Sequence, residues 1–388
     1  MPAFSLETAQ IARCAELRAL TAERLRPLAE KGEPGQVNRP LVAELGRLGL
    51  LERLFTSGAL DLCLMRESLA YACTEAETAL ALQGLGAHAV HGHGTPAQRE
   101  RWLPGVSEGS AIAAFALSEP GAGSDAAALS LSAAPDGPSR WRLTGEKCWI
   151  SNAPEADFYT VFARTTPGAG ARGVTAFLVP ADRPGLTGRA LDMLSPHPIG
   201  ALDFDAVPVT AEDVLGETDR GFRVAMGTLN LFRPSVGAFA VGMAQAALDA
   251  TLAHTAGRDA FGGKLKDLQA VAHQVAEMAL RTEAARLMVY AAATAYDEGA
   301  PGVPKRAAMA KLLATETAQY VVDKAVQLHG ARALCRGHLL EHLYREVRAP
   351  RIYEGASEVQ RGIIAKELYK ELYKELPEEP YADVEAPQ

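Results

Sequence analysis

The stretch Ser110-Ala-Ile-Ala-Ala-Phe-Ala-Leu-Ser-Glu-Pro-Gly-Ala-Gly-Ser-Asp125 is where the chain changes character. Before it, from Leu6 to Gly109, the strong helix formers Ala, Leu, Glu and Arg dominate. Apolar residues recur there at helical spacing, as in Leu41, Leu45, Leu48 and Leu62, Met65, Leu69. Within the stretch, Ile112–Leu117 is a short run suited to a strand, followed by a Gly, Pro and Ser cluster. Similar runs continue to Gly216: Trp141–Leu143, Cys148–Ser151, Tyr159–Ala163, Val174–Val179 and Leu202–Phe204. Strands this short at this spacing predict a small all-β domain. From Gly221 helical stripes return, first Leu268, Val271, Val275, Met278, then Leu313, Thr317, Tyr320, Val321, Leu328, with Pro301 and Pro304 breaking the chain between them. The pattern predicts an α+β multi-domain chain: helical over 1–110, β over 111–217 and helical over 218–373. Lys-Glu-Leu-Tyr occurs twice, at 366–369 and 370–373, and extends the last helix. Residues 374–388, acidic and Pro-rich toward the end, read as a disordered tail.

At 388 residues the chain has room for two or three domains, and 48% hydrophobic residues supply a core. A net charge of -8 argues against nucleic acid as the main partner, although a local pocket can still be basic. Cys14, Cys63, Cys73, Cys148 and Cys335 are odd in number with no C-x-x-C spacing, which suggests reduced thiols in a reducing compartment. Met1–Gln10 lacks the basic-then-apolar order of a secretory signal, and no apolar run approaches a bilayer-spanning length of about 20 residues. The expected location is the cytoplasm.

Three familiar signals fail on context. Gly168-Ala-Gly-Ala-Arg-Gly173 matches G-x-G-x-x-G, but a dinucleotide fingerprint must open a helix, and Val174–Val179 reads as a strand. A hairpin loop is expected instead. His88, His91 and His93 run into glycines, and His338 and His342 lack the Glu of H-E-x-x-H, so no metal site is expected. No G-x-S-x-G elbow occurs.

Three segments carry more. In Phe115–Asp125, Gly121, Gly123 and Ser124 form a loop whose N–H groups could meet anionic or carbonyl oxygens; an ordinary turn is the alternative. In Gly145-Glu-Lys-Cys-Trp-Ile-Ser-Asn152, Trp149 and Ser151 are two apart, which on a plain strand puts an apolar plate and a hydroxyl on one side. That suits a flat heteroaromatic ring; a half-buried strand is the alternative. In Arg351-Ile-Tyr-Glu-Gly-Ala-Ser-Glu-Val-Gln-Arg361, apolar neighbours would raise the pKa of Glu354 toward that of a general base. Gly355 would let a substrate approach, and Ser357 could cap the next helix. A Glu before a helix can also simply favour the helix dipole.

Together these three runs resemble the signatures of the acyl-CoA dehydrogenase family, in its order and spacing. Arg258-Asp-Ala-Phe-Gly262 followed by Gln269, and Gln327-Leu-His-Gly330, fit two weaker ones. The resemblance covers residues 5 to 370. It implies an N-terminal helical domain, a central β-barrel or sandwich domain and a C-terminal four-helix bundle, with FAD bound in a homotetramer or dimer. By motif, Phe115, Leu117, Ser118, Trp149, Ile150 and Ser151 are expected at the flavin. Arg258, Phe261, Gln269, Gln327 and Gly330 are expected at the ADP part of FAD from a neighbouring subunit. Ser124, Arg233, Tyr353 and Gly355 are expected at the substrate, with Ser124 toward the CoA chain.

The implied reaction is α,β-dehydrogenation of an acyl-CoA thioester to a trans-2-enoyl-CoA in fatty acid β-oxidation. Glu354 takes the α-proton, flavin N5 accepts the β-hydride and electrons pass to an electron-transfer flavoprotein. The thioester carbonyl would be held by the Glu354 N–H and a ribityl hydroxyl. Some family branches place the base on another helix, where this chain has Phe232. Two departures stand out: Ala356 replaces the Thr of E-G-T, and Gly330-Ala-Arg-Ala333 replaces G-G-x-G. An oxidase of the same fold and a catalytically silent flavoprotein scaffold remain as alternatives. Pocket depth is expected to depend on Leu80–His91 and on Phe232 and Val236.

Overall fold

The computed structural model describes residues 6–375. Seven helices come first: α1 (Thr8–Leu20), α2 (Arg26–Ala29), α3 (Arg39–Arg47), α4 (Arg53–Thr56), α5 (Ala59–Ala72), α6 (Thr74–His93) and α7 (Pro96–Glu108). Their stops follow the local chemistry. Asn38 caps α3 by accepting from the Leu41 N–H, and Thr95 and Gln98 form a capping box at α7. Gly109 ends α7 in the left-handed conformation.

Seven strands follow: β1 (Ala113–Ala116), β2 (Ser132–Pro135), β3 (Arg140–Ser151), β4 (Phe158–Arg164), β5 (Val174–Pro180), β6 (Leu186–Ala190) and β7 (Ile199–Thr210). They form one sheet in the order β1-β4-β2-β3-β7-β6, with β5 also on β4. β1 runs parallel to β4, and β4 and β5 form an antiparallel hairpin around the Gly168–Gly173 loop. That loop enters a strand, so the G-x-G-x-x-G match is the hairpin expected. Two expectations need correction. Trp141–Leu143 and Cys148–Ser151 belong to one 12-residue strand, broken only by register shifts at Leu143/Gly145 and Lys147/Ile150. β2 and β6 had no apolar run to reveal them, because one is Ala- and Pro-rich and the other is exposed along most of its length.

The chain then returns to helices: α8 (Gly221–Gly257), α9 (Gln269–Asp297), α10 (Val303–His329), α11 (Leu339–Glu346) and α12 (Ser357–Glu375), with a two-strand ribbon, β8 (Asp259–Ala260) and β9 (Gly263–Lys264), after α8. α8, α9, α10 and α12 pack as a bundle, and α5 lies along α8. α8 does contain a window apolar and long enough to cross a membrane, contrary to the expectation of none; most of that window is buried in the protein. A bundle's central helix is apolar all round for that reason. α12 runs through Glu375, so residues 374 and 375 belong to the helix; the remainder of the expected tail lies outside the described residues.

Candidate active site

Glu354 sits on a turn between a short 3₁₀ segment, Ala349–Arg351, and α12. Glu354 has φ 52° and Gly355 φ 98°, so two consecutive residues are left-handed. For a non-glycine residue that conformation costs about 1–2 kcal/mol. It is held by side chains that grip the two carbonyls. Arg233 Nε donates to Glu354 O at 3.0 Å, and Gln360 Nε2 donates to Glu354 O at 3.1 Å and to Gly355 O at 2.9 Å. Lys311 Nζ donates to Gly355 O at 2.7 Å. A Cβ on Gly355 would lie 2.5 Å from Gln360 Nε2, so position 355 has no room for a side chain. Ser357 does not cap α12; it is the first helical residue, and its hydroxyl donates to Glu316 at 2.6 Å.

While both carbonyls of this turn are engaged, the carboxylate is not. Glu354 Oε2 is shielded from solvent and has no hydrogen-bond partner among the described residues. Burial pushes the Glu354 pKa up, against the pull of Arg66, Lys311 and Arg233, and the net shift is upward. Lys311, fully buried in the bundle, is pushed down to about 8 by burial, with Glu354 partly restoring it. Arg66 of α5 is buried and paired with Glu77 of α6, and its Nη1 donates to Ser235 Oγ at 2.6 Å. Burial pulls the Arg66 pKa down, but Glu77 and then Glu354 more than restore it, so Arg66 is charged. Three cations thus surround one buried carboxylate.

Pro234 stands inside α8 one residue after Arg233. It cannot donate the helical hydrogen bond expected at its position. Ser235 Oγ donates to Phe232 O at 2.8 Å, so this irregular turn offers both a hydroxyl and the Arg233 fork to the site. Phe232 and Val236 are buried in the core. Phe232 meets His88 edge-on at 5.9 Å, and its ring tip would lie 2.9 Å from a Cβ on Gly84. Gly84 on α6 therefore admits Phe232. Burial drives the His88 pKa down to about 4, so its ring is neutral at pH 7.

On the β side, one ion pair joins the other two motifs. Lys147, completely buried, donates to Glu119 at 2.8 Å and to Leu117 O at 2.9 Å. Glu119 also accepts from the Ser130 and Leu131 N–H groups at 2.6 and 2.9 Å. Cys148 N donates to Ser118 O at 3.0 Å, which sets the Leu117–Ser118 segment against Trp149. The alternation that would place Trp149 and Ser151 on one side does not hold: Trp149 has φ 57°, and the register shifts between Lys147 and Ile150. The bulge instead turns the indole outward, 48% exposed. The Ile150 and Leu117 side chains are buried, and the Phe115 ring packs on Phe162 with centroids 4.9 Å apart. Ser124 is exposed in its loop, and Gly121 and Gly123 border open space.

Arg258, Phe261, Gln269, Gln327 and Gly330 gather elsewhere, where α8 and α10 end and α9 begins. All five are exposed, Phe261 by 90%. From Arg233 to Gly257 is about 36 Å of helix, so this group lies far along α8 from Glu354. Of the departing residues beside it, Ala331 and Arg332 are exposed and only Ala333 is buried. His338 and His342 serve separate ends: His338 Nδ1 accepts from the Leu340 N–H, and His342 meets Thr74 at 2.6 Å. No group of three potential metal ligands forms among the described residues.

Arg66, Glu77, Ser235 and Lys311 were not anticipated. Their one signal is a charge or hydroxyl inside an otherwise apolar helical stretch. Glu119 and Lys147 lay within the quoted motifs, but only the fold shows that they pair.

The site's parts match one family in order. Family models of the acyl-CoA dehydrogenase N-terminal domain, middle domain and C-terminal domain match residues 8–110, 114–207 and 219–369. The short-chain specific acyl-CoA dehydrogenase of Bos taurus mitochondria is 42% identical over 280 residues, 71% of this chain and 68% of that protein. The cyclohexane-1-carbonyl-CoA dehydrogenase of Geobacter metallireducens is 34% identical over 367 residues, 91% of this chain and 96% of that protein. The structure of butyryl-CoA dehydrogenase from Megasphaera elsdenii superposes with a TM-score of 0.88 at 32% identity, covering 94% of this chain and 99% of that one. With all three parts of one architecture matched in sequence order, the chain belongs to the acyl-CoA dehydrogenase family of oxidoreductases.

Proposed function

We propose that this chain removes two hydrogens from the α and β carbons of a short acyl-CoA, with Glu354 as the base. One observation carries the reading: Glu354 Oε2 is buried and unpartnered, with the carboxyl raised in pKa, on a turn whose two carbonyls are held by side chains. An unsatisfied buried carboxylate costs stability, and such costs concentrate at functional sites.

The residues present fit FAD. Trp149 offers an exposed indole, with the Ser118 and Ser151 hydroxyls on adjoining segments. Bound FAD would supply the acceptor for the β-hydride. The chain's own groups do the rest. Glu354 takes the α-proton at Oε2. Its N–H, which donates to no backbone carbonyl among the described residues, is available to the thioester carbonyl. Lys311 and Arg233 hold the turn, and together with Arg66 they favour the negative charge that develops as the proton leaves. Arg258, Phe261, Gln269, Gln327 and Gly330, remote from Glu354 and exposed, suit the ADP portion of a cofactor bound to a second copy, which makes the working form a homo-oligomer. The buried Phe232 and the short-chain and butyryl relatives support a short acyl group. Electrons would leave through an electron-transfer flavoprotein, and the compartment would be the cytoplasm.

The test is an anaerobic visible spectrum of purified protein before and after each member of a panel of straight, branched and aromatic acyl-CoAs. Bleaching of the oxidised flavin band by a short thioester is expected in wild type and not in Glu354→Gln. Wild-type bleaching rates in that variant would overturn the assignment.

A further inference from the structure

Arg66 and Glu77 form one of the ion pairs buried in this core, 3% and 1% exposed, and the one that adjoins the Glu354 turn. They come from different helices, and apolar residues of similar size would fill such a position at no loss of stability. The pair therefore asks for a role other than packing.

Its surroundings point to the acyl cavity. Arg66 Nη1 is held by Ser235, two residues after the Arg233 that grips the Glu354 carbonyl. Glu354 and Tyr353 lie near enough for their charges to act on Arg66. Arg66 Nε is engaged by Glu77 and Nη1 by Ser235, while Nη2 makes no hydrogen bond among the described residues and is not among the fully shielded orphan atoms. One guanidinium nitrogen, Nη2, is thus left without a protein partner among the described residues, on a side chain that lies beside the helix turn holding the base. Phe232, three residues before Ser235 on α8, packs against His88 and against Gly84.

We propose that the buried Arg66–Glu77 pair is a polar wall of the acyl cavity beside Glu354, and that it selects short acyl thioesters, above all those whose distal end carries a hydrogen-bond acceptor for Arg66. This rests on the dehydrogenase reading and adds the substrate class. Methylenes laid against a desolvated ion pair gain little, and they leave Nη2 without a partner. An acyl oxygen at the same depth satisfies it. Sites built to hydrogen-bond a substrate oxygen reject the analogue that lacks it far more strongly than an apolar pocket rejects an extra methylene. Because Glu77 already neutralises Arg66, the acceptor can be an uncharged hydroxyl or carbonyl oxygen.

The experiment measures anaerobic bleaching of the purified holoenzyme with butyryl-, valeryl-, octanoyl- and 4-hydroxybutyryl-CoA. Valeryl and 4-hydroxybutyryl groups match in heavy-atom length and differ in one oxygen. The expected kcat/KM favours 4-hydroxybutyryl over valeryl, and butyryl over octanoyl, each by about tenfold or more. In the double variant Arg66→Met/Glu77→Leu, which removes both charges at once and orphans neither, both ratios collapse toward one. A purely structural pair would lower stability or flavin content without moving these ratios. Equal wild-type rates within both matched comparisons overturn the inference, as does a double variant that keeps both preferences. If the double variant does not hold flavin, the wild-type ratios decide. Bleaching of wild type by none of these thioesters, or by any other on the wider panel, would instead sink the dehydrogenase reading itself.

Discussion

The two ends of the helical bundle differ in kind. Around Glu354, charges from α5, α6, α8 and α10 are buried: Arg66 pairs with Glu77, while Arg233 and Lys311 grip the carbonyls of one turn. Around Arg258, the residues are solvent-facing, and Phe261 stands almost wholly free. The first end is assembled within one chain. The second offers aromatic and basic groups outward, in the manner of a surface awaiting a ligand or a second copy. Where a site is buried, its electrostatics are internal and strong; where it is exposed, each group is nearly independent of the fold's stability.

The contrast can be broken most severely at Glu354. Glu354→Gln should lower the rate of flavin bleaching by about 10²–10⁴-fold, the usual worth of a positioned base, with flavin retained. The same variant should melt at or above the wild-type temperature at pH 7. The sign follows from the raised pKa: the folded state holds the proton more tightly than the unfolded one. Stability therefore falls as pH rises from about 4.3, the unfolded value, through the folded pKa, and the cost is complete above it. Gln removes that cost, so the gap between variant and wild type should close as pH approaches 4. A Glu354→Gln protein less stable than wild type at pH 7 and no closer to it at pH 4 would contradict the buried-carboxylate picture.

Gly355→Ala tests the turn's backbone. With φ 98° and Gln360 Nε2 in the path of the new Cβ, a loss of about 2 kcal/mol is expected in denaturant melts. A neutral result would mean that the turn relaxes freely. At the opposite end, Arg258→Ala and Phe261→Ala should each leave chain stability within about 0.5 kcal/mol. Each should nonetheless weaken FAD retention by about tenfold, or ~1.4 kcal/mol, in equilibrium dialysis. Unchanged retention would detach this surface from the cofactor.

The smallest effect is in the pH profile. The bleaching rate should fall as pH drops through a Glu354 pKa above the ordinary carboxylate range. A second, shallower limb is expected near pH 8 as Lys311 loses its charge. Lys311→Arg should carry that limb to higher pH. A limb that stays in place would assign it to another group.

Much of this was legible in the residues. The helix formers before Gly109, the short β runs after Ser110 and the stripes after Gly221 announced the order of domains, because each depends on neighbours three or four positions away. Glu354 was legible too, since its apolar neighbours and following glycine are adjacent in the chain. The same-side placement of Trp149 and Ser151 was not, because it assumed an unbroken strand, and β3 carries a bulge there. Ser357 looked like a cap, but Glu316, 41 residues away, takes its hydroxyl. β2 and β6 were missed because their composition is not that of a buried strand.

The sequence alone determined the kinds of segment and their order, and its motif singled out Glu354 as the candidate base, since propensity, periodicity and motif are local properties. Only the tertiary structure decided what surrounds that base. Arg66 and Glu77 are 11 residues apart on different helices, Arg66 and Ser235 are 169 apart, and Arg233 and Glu354 are 121 apart. No local rule pairs residues at such separations. They meet because the apolar faces of α5, α6, α8 and α10 must be buried together, and burial makes the few charges carried along find one another.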